Sequence, residues 1–196
     1  MHRPEGYQAC RERFIDIIVD AFGFNPSVQD VIKQDHKKEQ RLRRLASYSF
    51  HFGERRKANY LSSDSNGIVI SYVEDYRRTL ADHWADVKLI LQVSGLGKAL
   101  YLLRKEAYRK RVRPKAPFYY VWFIGVDSEH RGGECSRELK KWVFDEANRL
   151  QLPILIETTI PKNKRAYEFF GFKVYHVHRF HKNTPPTFFM RKGVEK

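Results

Sequence analysis

The strongest fold signal is a continuous apolar segment, residues 118–126, that leads through a glycine-bearing turn into an amphipathic helix. Such a run between turn residues is typical of a strand buried on both faces. A second short apolar segment, residues 154–156, follows the helix. A strand, a crossover helix and a second strand predict a parallel pair. The sequence therefore favours a mixed α/β fold.

The residues before this unit predict helices and a hairpin. Phe14, Ile17 and Ile18 recur at helical spacing within residues 8–22, and Pro26 suits the first turn of another helix. Two short strands flank residues 63–67, where the Asn66-Gly67 pair accommodates the positive φ of a tight turn. Two further helical stripes are predicted: Leu80, Trp84, Val87 and Leu91, then Leu96, Leu100, Leu103 and Ala107.

Composition excludes several classes of protein. The chain has 196 residues without repeats or linkers, which predicts one domain over 1–196, with helices and the hairpin in 1–115 and the strand–helix series in 116–191. Its hydrophobic share of 42% is too high for a disordered chain. No apolar run approaches the roughly 18 residues of a membrane span. Two cysteines fit a reducing compartment, so we expect a cytoplasmic protein without a membrane partner.

The net charge points to anionic ligands. There are 37 Lys and Arg residues against 23 Asp and Glu residues, a formal charge of +14. Such a field attracts phosphorylated small molecules or nucleic acid. The basic clusters are either solvated helix faces or the surface of a nucleic-acid-binding module, and the sequence leaves both interpretations open.

The turn after the first apolar segment has the features of a phosphate site. Residues 127–133, D-S-E-H-R-G-G, lead directly into a helix. The start of a helix offers unpaired backbone N–H groups at the positive end of its dipole, and an anion can bind there.

Residues 124–139, I-G-V-D-S-E-H-R-G-G-E-C-S-R-E-L, resemble the acyl-CoA-binding motif of the GNAT N-acetyltransferase superfamily, an Arg or Gln followed by x-x-Gly-x-Gly/Ala at a helix start. Residues 154–159 and 163–172 resemble the last βαβ unit of the family and its Tyr-Glu-x-x-Gly-Phe ending. The resemblance implies a GNAT-like central mixed sheet flanked by helices. It also implies direct transfer of an acetyl group from acetyl-CoA to an amine.

The resemblance implies specific cofactor contacts. The pantetheine would pair with backbone at Ile124, Gly125 and Val126. The pyrophosphate would meet Arg131, Gly132, Gly133, Glu134, Cys135 and Ser136, and Asn163 and Tyr167 would complete the set. Glu134 and Ser136 occupy positions that the family usually fills with glycine or alanine, so the turn is degenerate, and Ile160 stands where many members carry asparagine.

Two residues are candidates for catalysis. The resemblance implies that Tyr167 lies near the CoA sulfur and protonates the departing thiolate; the alternative is a core tyrosine beside Phe169 and Phe172. The acceptor amine must lose a proton before it attacks, and Glu157, just after residues 154–156, is a candidate base, acting directly or through water. Its alternative is an ordinary carboxylate at a strand end.

Other interpretations remain open at this stage. A GNAT-fold pseudoenzyme would follow if Glu134 repelled the cofactor phosphates. His176 and His178 share one face of a predicted strand with His181 nearby, but no acidic or thiol partner is signalled, so no metal is expected. The sequence identifies neither the amine nor the oligomeric state.

Overall fold

The computed structural model describes residues 5–74 and 80–194. Its helices are α1 (Glu5–Phe22), α2 (Pro26–Val31), α3 (Lys38–Arg55), α4 (Leu80–Leu89), α5 (Leu96–Val112), α6 (Glu134–Leu150) and α7 (Pro161–Phe169). Its strands are β1 (Asn59–Leu61), β2 (Gly67–Val73), β3 (Tyr119–Val126), β4 (Ile154–Thr158), β5 (Lys173–His178) and β6 (Thr187–Lys192). A π-helical segment, Ile90–Ser94, joins α4 to α5. Within these residues, no helix has the length and apolar character needed to cross a bilayer.

The six described strands form one mixed sheet in the order β1-β2-β3-β4-β6-β5. Strands β3 and β4 pair in parallel, whereas β3 with β2 and β4 with β6 pair antiparallel. Helix α6 is the crossover of the parallel pair, as the two apolar segments predict. The mixed α/β class and the sheet flanked by helices are confirmed.

Helices pack on both faces of the sheet. On one side, which we call the α6 face, the core joins Leu139, Val143 and Ala147 of α6 to Val121, Ile154 and Ile156. On the opposite side, the α1/α3 face, the core includes Phe14, Ile18, Ala46, Phe50, Ile70 and Phe123. The register of β2 with β3 shifts at Trp122, and this bulge turns Trp122 and Phe123 together toward α1 and α3.

The hairpin is confirmed, but its turn differs from the prediction. The positive φ lies at Ser65 (57°) rather than at Asn66 or Gly67. Gly67 is needed for another reason: a Cβ there would lie 2.4 Å from Cys135 Sγ and 2.9 Å from Leu139 Cδ1. The glycine therefore allows α6 to approach the sheet closely.

The two predicted apolar stripes lie on helices but do not face the core. Trp84, Val87 and Leu91 are exposed, as are Leu96, Leu100, Leu103 and Ala107, while the side chain of Leu80 lies outside the described part. The helices form where the spacing predicts them, but polar side chains of α5 occupy its inner face instead.

Candidate active site

Strands β3 and β4 separate soon after they pair. Their parallel register covers Tyr119–Val121 against Ile154–Ile156 and then stops. Beyond that point β3 keeps its partner β2, and β4 keeps its partner β6. In the described chain, the inner backbone edges of residues 122–126 and 157–158 therefore face an opening at the carboxyl ends of the two strands. Ligands of α/β sheets bind at such carboxyl ends.

The turn from β3 to α6 is held rigidly against α1. Asp20 accepts hydrogen bonds from the backbone N–H and the hydroxyl of Ser128 at 2.6 and 3.0 Å. Asp127 accepts from the Glu129 N–H at 3.1 Å and pairs with Arg13 at 3.0 Å. These contacts fix the position at which α6 begins.

The start of α6 is open to a ligand. Gly132 has a positive φ of 81°, and Gly133 caps the helix without a side-chain hydrogen bond. Residues 131–134 are exposed. The predicted phosphate residues Arg131, Gly132, Gly133 and Glu134 are thus brought together around the free N–H groups of a 17-residue helix.

The remaining predicted residues of this turn differ in exposure. Glu134 is the first helical residue, exposed and without a positive φ, so its side chain causes no backbone strain. Cys135 is buried, its thiol donates to Ser62 Oγ at 3.5 Å, and burial raises the pKa of that thiol. Ser136 is half-buried. Cys135 can therefore offer a ligand only its backbone, because its side chain belongs to the core.

The predicted pantetheine residues lie on the open stretch of β3. Ile124 and Val126 contribute to the core on the α6 face. Gly125 permits close contact with α1, since a Cβ there would lie 2.7 Å from Phe22 Cε2. The free inner edge of the strand is thus supported from both sides.

Helix α7 begins three residues after the carboxyl end of β4. The Ile160 N–H donates to Thr158 Oγ1 at 3.1 Å, and Pro161 occupies the first turn. Asn163 in that turn is half-buried. The ring of Tyr167 packs against Phe172 at 5.7 Å within the core of the α6 face, and burial raises the pKa of Tyr167 to about 12. Its hydroxyl therefore keeps its proton at neutral pH.

Glu157 lies on the other face of the sheet, where it forms ion pairs that the sequence did not indicate. Arg113 donates to Glu157 Oε1 from Nε at 3.1 Å and from Nη2 at 2.8 Å. Arg109 Nε lies 2.9 Å from Glu157 Oε2, although its N–H does not point at that oxygen. Burial raises the pKa of Glu157, but the two arginines outweigh it and lower the pKa overall. Glu157 is thus held ionised.

The basic clusters were interpreted as solvated helix faces or as a nucleic-acid-binding surface, and neither interpretation fits Arg109 and Arg113, whose side chains are 22% and 7% exposed and pair with Glu157. The i, i+4 spacing of these two residues was the available signal, because it places both on one side of a helix. The same side of α5 carries Lys105, which pairs with Asp30 of α2 at 2.5 Å. The buried face of α5 is therefore an ionic one.

The histidines of β5 have aromatic neighbours. Tyr108 Oη lies 2.9 Å from His176 Nε2, and the Tyr108 ring stacks on His178 at 3.8 Å. Among the described residues, no three His, Cys, Asp or Glu side chains lie together in a way that could hold a metal ion.

Two cavities lie away from the opening. One of about 290 Å³ is lined by Lys110, Arg113 and Phe118, and the other, of about 300 Å³, by Tyr72, Tyr119 and Trp142. Phe118 and Tyr119 stand at the beginning of β3, whereas the opening is at its end. We therefore place the candidate site at the opening, where two helix starts converge, rather than in either cavity.

No protein-family profile and no curated protein sequence matches the chain. Solved structures do match it over nearly its whole length. "Histone acetyltransferase HPA2 and related acetyltransferase" from Corynebacterium glutamicum is 19% identical with a TM-score of 0.70, over 96% of this chain and 93% of that one. Arylalkylamine N-acetyltransferase 2 from Aedes aegypti is 14% identical with a TM-score of 0.62, over 96% of each chain.

Polyamine N-acetyltransferase from Drosophila melanogaster is 13% identical with a TM-score of 0.60, over 95% of this chain and 96% of that one. At these identities the likeness concerns the arrangement of helices and strands. The chain therefore has the fold of the GNAT N-acetyltransferase superfamily, as the two sequence motifs predicted.

Proposed function

We propose that the chain is an N-acyltransferase that moves an acetyl group from acetyl-CoA to an amine by direct attack. The observation that carries this proposal is the separation of β3 from β4 beside the uncapped start of α6. A free strand edge and a free helix start lie together there, and they suit an amide-containing chain that ends in phosphates. The small-molecule amine and the cytoplasmic setting are part of the proposal; both cysteines being free thiols supports the latter.

The residues at the opening fit such a donor. The backbone of Ile124, Gly125 and Val126 would pair with the pantetheine, and the N–H groups of residues 133–136, with Arg131, would hold the pyrophosphate. Asn163 lies at the start of the facing helix. When bound, acetyl-CoA supplies a thioester carbonyl, and a backbone N–H of β3 would stabilise the oxyanion that forms there.

The two candidate catalytic residues lie on opposite faces of the sheet. Tyr167 packs on the α6 face, where it would donate a proton to the leaving thiolate. Glu157 lies on the α1/α3 side and would accept the proton of the amine through water. Since Arg109 and Arg113 lower the pKa of Glu157, they limit its strength as a base. The positions of these two residues support entry of acetyl-CoA from the α6 face of the sheet and of the amine from the α1/α3 face.

The direct test is calorimetric titration of the purified chain with acetyl-CoA, followed by a thiol-release assay with a panel of primary amines. We expect micromolar binding and release of CoA with at least one amine. Absence of binding at millimolar acetyl-CoA would overturn the proposal. Binding without thiol release for any amine would instead favour the pseudoenzyme that the degenerate turn suggested.

Replacing Glu134 with glutamine should strengthen binding of acetyl-CoA. The exposed carboxylate stands in the first turn of α6, where it would repel the pyrophosphate. Removing one charge should lower the Kd about fivefold, the effect of about 1 kcal/mol for a close charge pair in water. The control is Asp145→Asn, which removes an exposed charge further along α6 and should leave the Kd unchanged. Equal Kd values for Glu134→Gln and the parent chain would contradict the placement of the phosphates.

A further inference from the structure

Helix α5 turns its polar face toward the protein and its apolar face toward solvent. On the inner face Lys98 donates to the backbone oxygen of Asp30 at 2.7 Å, and Lys105 pairs with the carboxylate of the same residue. On the outer face Leu96, Leu100 and Leu103 are 76%, 59% and 59% exposed. Because ionic contacts hold the inner face in place, these leucines have no position in the core of this chain.

The exposed side chains of α5 follow a regular pattern. The apolar ones recur at i, i+4, i+7 and i+11, which places them in one stripe on a helix. At 100° per residue, Arg104 and Arg111 lie along one side of that stripe and Lys110 along the other. We call these residues the outer face of α5: Leu96, Leu100, Leu103, Ala107, Arg104, Lys110 and Arg111.

The preceding helix and the π-helical segment also expose apolar side chains. Trp84, Val87 and Leu91 occur at i, i+3 and i+7 and are 73%, 46% and 49% exposed. Among the described side chains, these two stretches expose six large apolar ones within 20 residues of sequence. Soluble monomers rarely expose apolar patches above a few hundred Å², and larger ones mark surfaces that bind a protein or a membrane.

The charges around the stripe indicate what covers it. The described acidic side chains of residues 84–115 are outnumbered by basic ones: Asp86 accepts a hydrogen bond from Tyr48, and Glu106, whose side chain is 43% exposed, lies 3.9 Å from Arg109. A second copy packed on this face would bring arginine and lysine against arginine and lysine, which disfavours association. A docking helix would need a groove, and the stripe lines neither of the two cavities.

We propose that the outer face of α5, with the apolar stripe of α4, binds the surface of a membrane containing anionic lipids. Leucine and tryptophan side chains enter the boundary between headgroups and acyl chains, and flanking Lys and Arg contact lipid phosphates. This is surface binding, in accord with the lack of a membrane-spanning helix in the described residues. The sequence-based expectation of no membrane partner considered only segments long enough to span a membrane, and surface binding does not need one.

The test is flotation of the full chain with vesicles of phosphatidylcholine containing 30% phosphatidylserine, at low and high salt. The parent chain should bind, and binding should weaken as salt rises. The double variant Leu100→Gln/Leu103→Gln should bind about tenfold more weakly. Its control is Val177→Gln, an apolar residue that is 48% exposed on β5, which should bind as the parent does.

The charged residues require their own control, because a chain of net charge +14 is attracted to any anionic surface. Arg104→Gln/Arg111→Gln should weaken binding about tenfold, and more than Arg44→Gln/Arg55→Gln, which removes two exposed charges from α3. The proposal would be overturned if the two arginine double variants lost vesicle binding equally, or if the parent chain did not bind vesicles. So would a dimer in light scattering that Leu100→Gln/Leu103→Gln converts to a monomer, since the face would then bind a second copy.

Discussion

Replacing Glu157 with glutamine is expected to lower the free energy of unfolding by about 3–5 kcal/mol at pH 7, as removal of one partner from a buried ion pair does. Glu157 is the carboxylate between Arg109 and Arg113, and its side chain and that of Arg113 are only 8% and 7% exposed. The variant would leave both guanidinium groups without their shared counter-charge. Urea unfolding followed by circular dichroism measures the change.

A control for this variant is Glu106→Gln. The carboxylate of Glu106 lies 3.9 Å from Arg109, and the side chain of Glu106 is 43% exposed. Exposed ion pairs contribute about 0–1 kcal/mol, so this change should have little effect. If Glu157→Gln and Glu106→Gln destabilise the chain equally, the buried cluster does not stabilise the fold as its geometry indicates.

The lowered pKa of Glu157 predicts that the free energy of unfolding depends on pH. The folded pKa of Glu157 lies below its ordinary value of 4.5, so the ionised form favours the folded state. Its contribution to stability is fully present above pH 4.5 and is lost as pH falls toward the folded pKa. The difference in stability between the parent chain and Glu157→Gln should therefore shrink as the pH is lowered through this window, and a difference independent of pH would contradict the assignment.

Replacing Tyr167 with phenylalanine is expected to lower kcat for acetyl transfer about 100-fold while the Kd for acetyl-CoA stays unchanged. A positioned proton donor contributes at least about that factor, and phenylalanine keeps the packing on Phe172 but loses the proton. Thiol release and calorimetry measure the two quantities separately.

Tyr175 supplies a control, because it is a tyrosine on β5 and therefore lies outside α7. Tyr175→Phe should retain the kcat of the parent chain. If Tyr167→Phe keeps more than half of the activity, Tyr167 is a packing residue. If kcat and affinity fall together, the hydroxyl serves binding rather than proton transfer.

The local pattern of apolar and polar residues was sufficient to predict much of the fold. The apolar segments at 118–126 and 154–156, with a helix between them, predicted the parallel pair, because strand burial and helical periodicity are properties of neighbouring residues. The glycine turn likewise predicted an open helix start at residues 133–136. The hairpin was predicted correctly, but the Asn-Gly signal placed the positive φ at Asn66-Gly67, whereas the structure has it at Ser65. That signal also does not reveal the close approach of α6, which is what requires a glycine at position 67.

The sequence by itself determined where helices and strands form and which residues share a side of each. Only the tertiary structure decided which side of α5 faces inward, because that depends on partners distant in the chain: Asp30 is 75 residues from Lys105, and Glu157 is 44 residues from Arg113. Periodicity records that Leu96, Leu100 and Leu103 share a stripe. The buried ion pairs, which periodicity cannot show, turn that stripe to the surface.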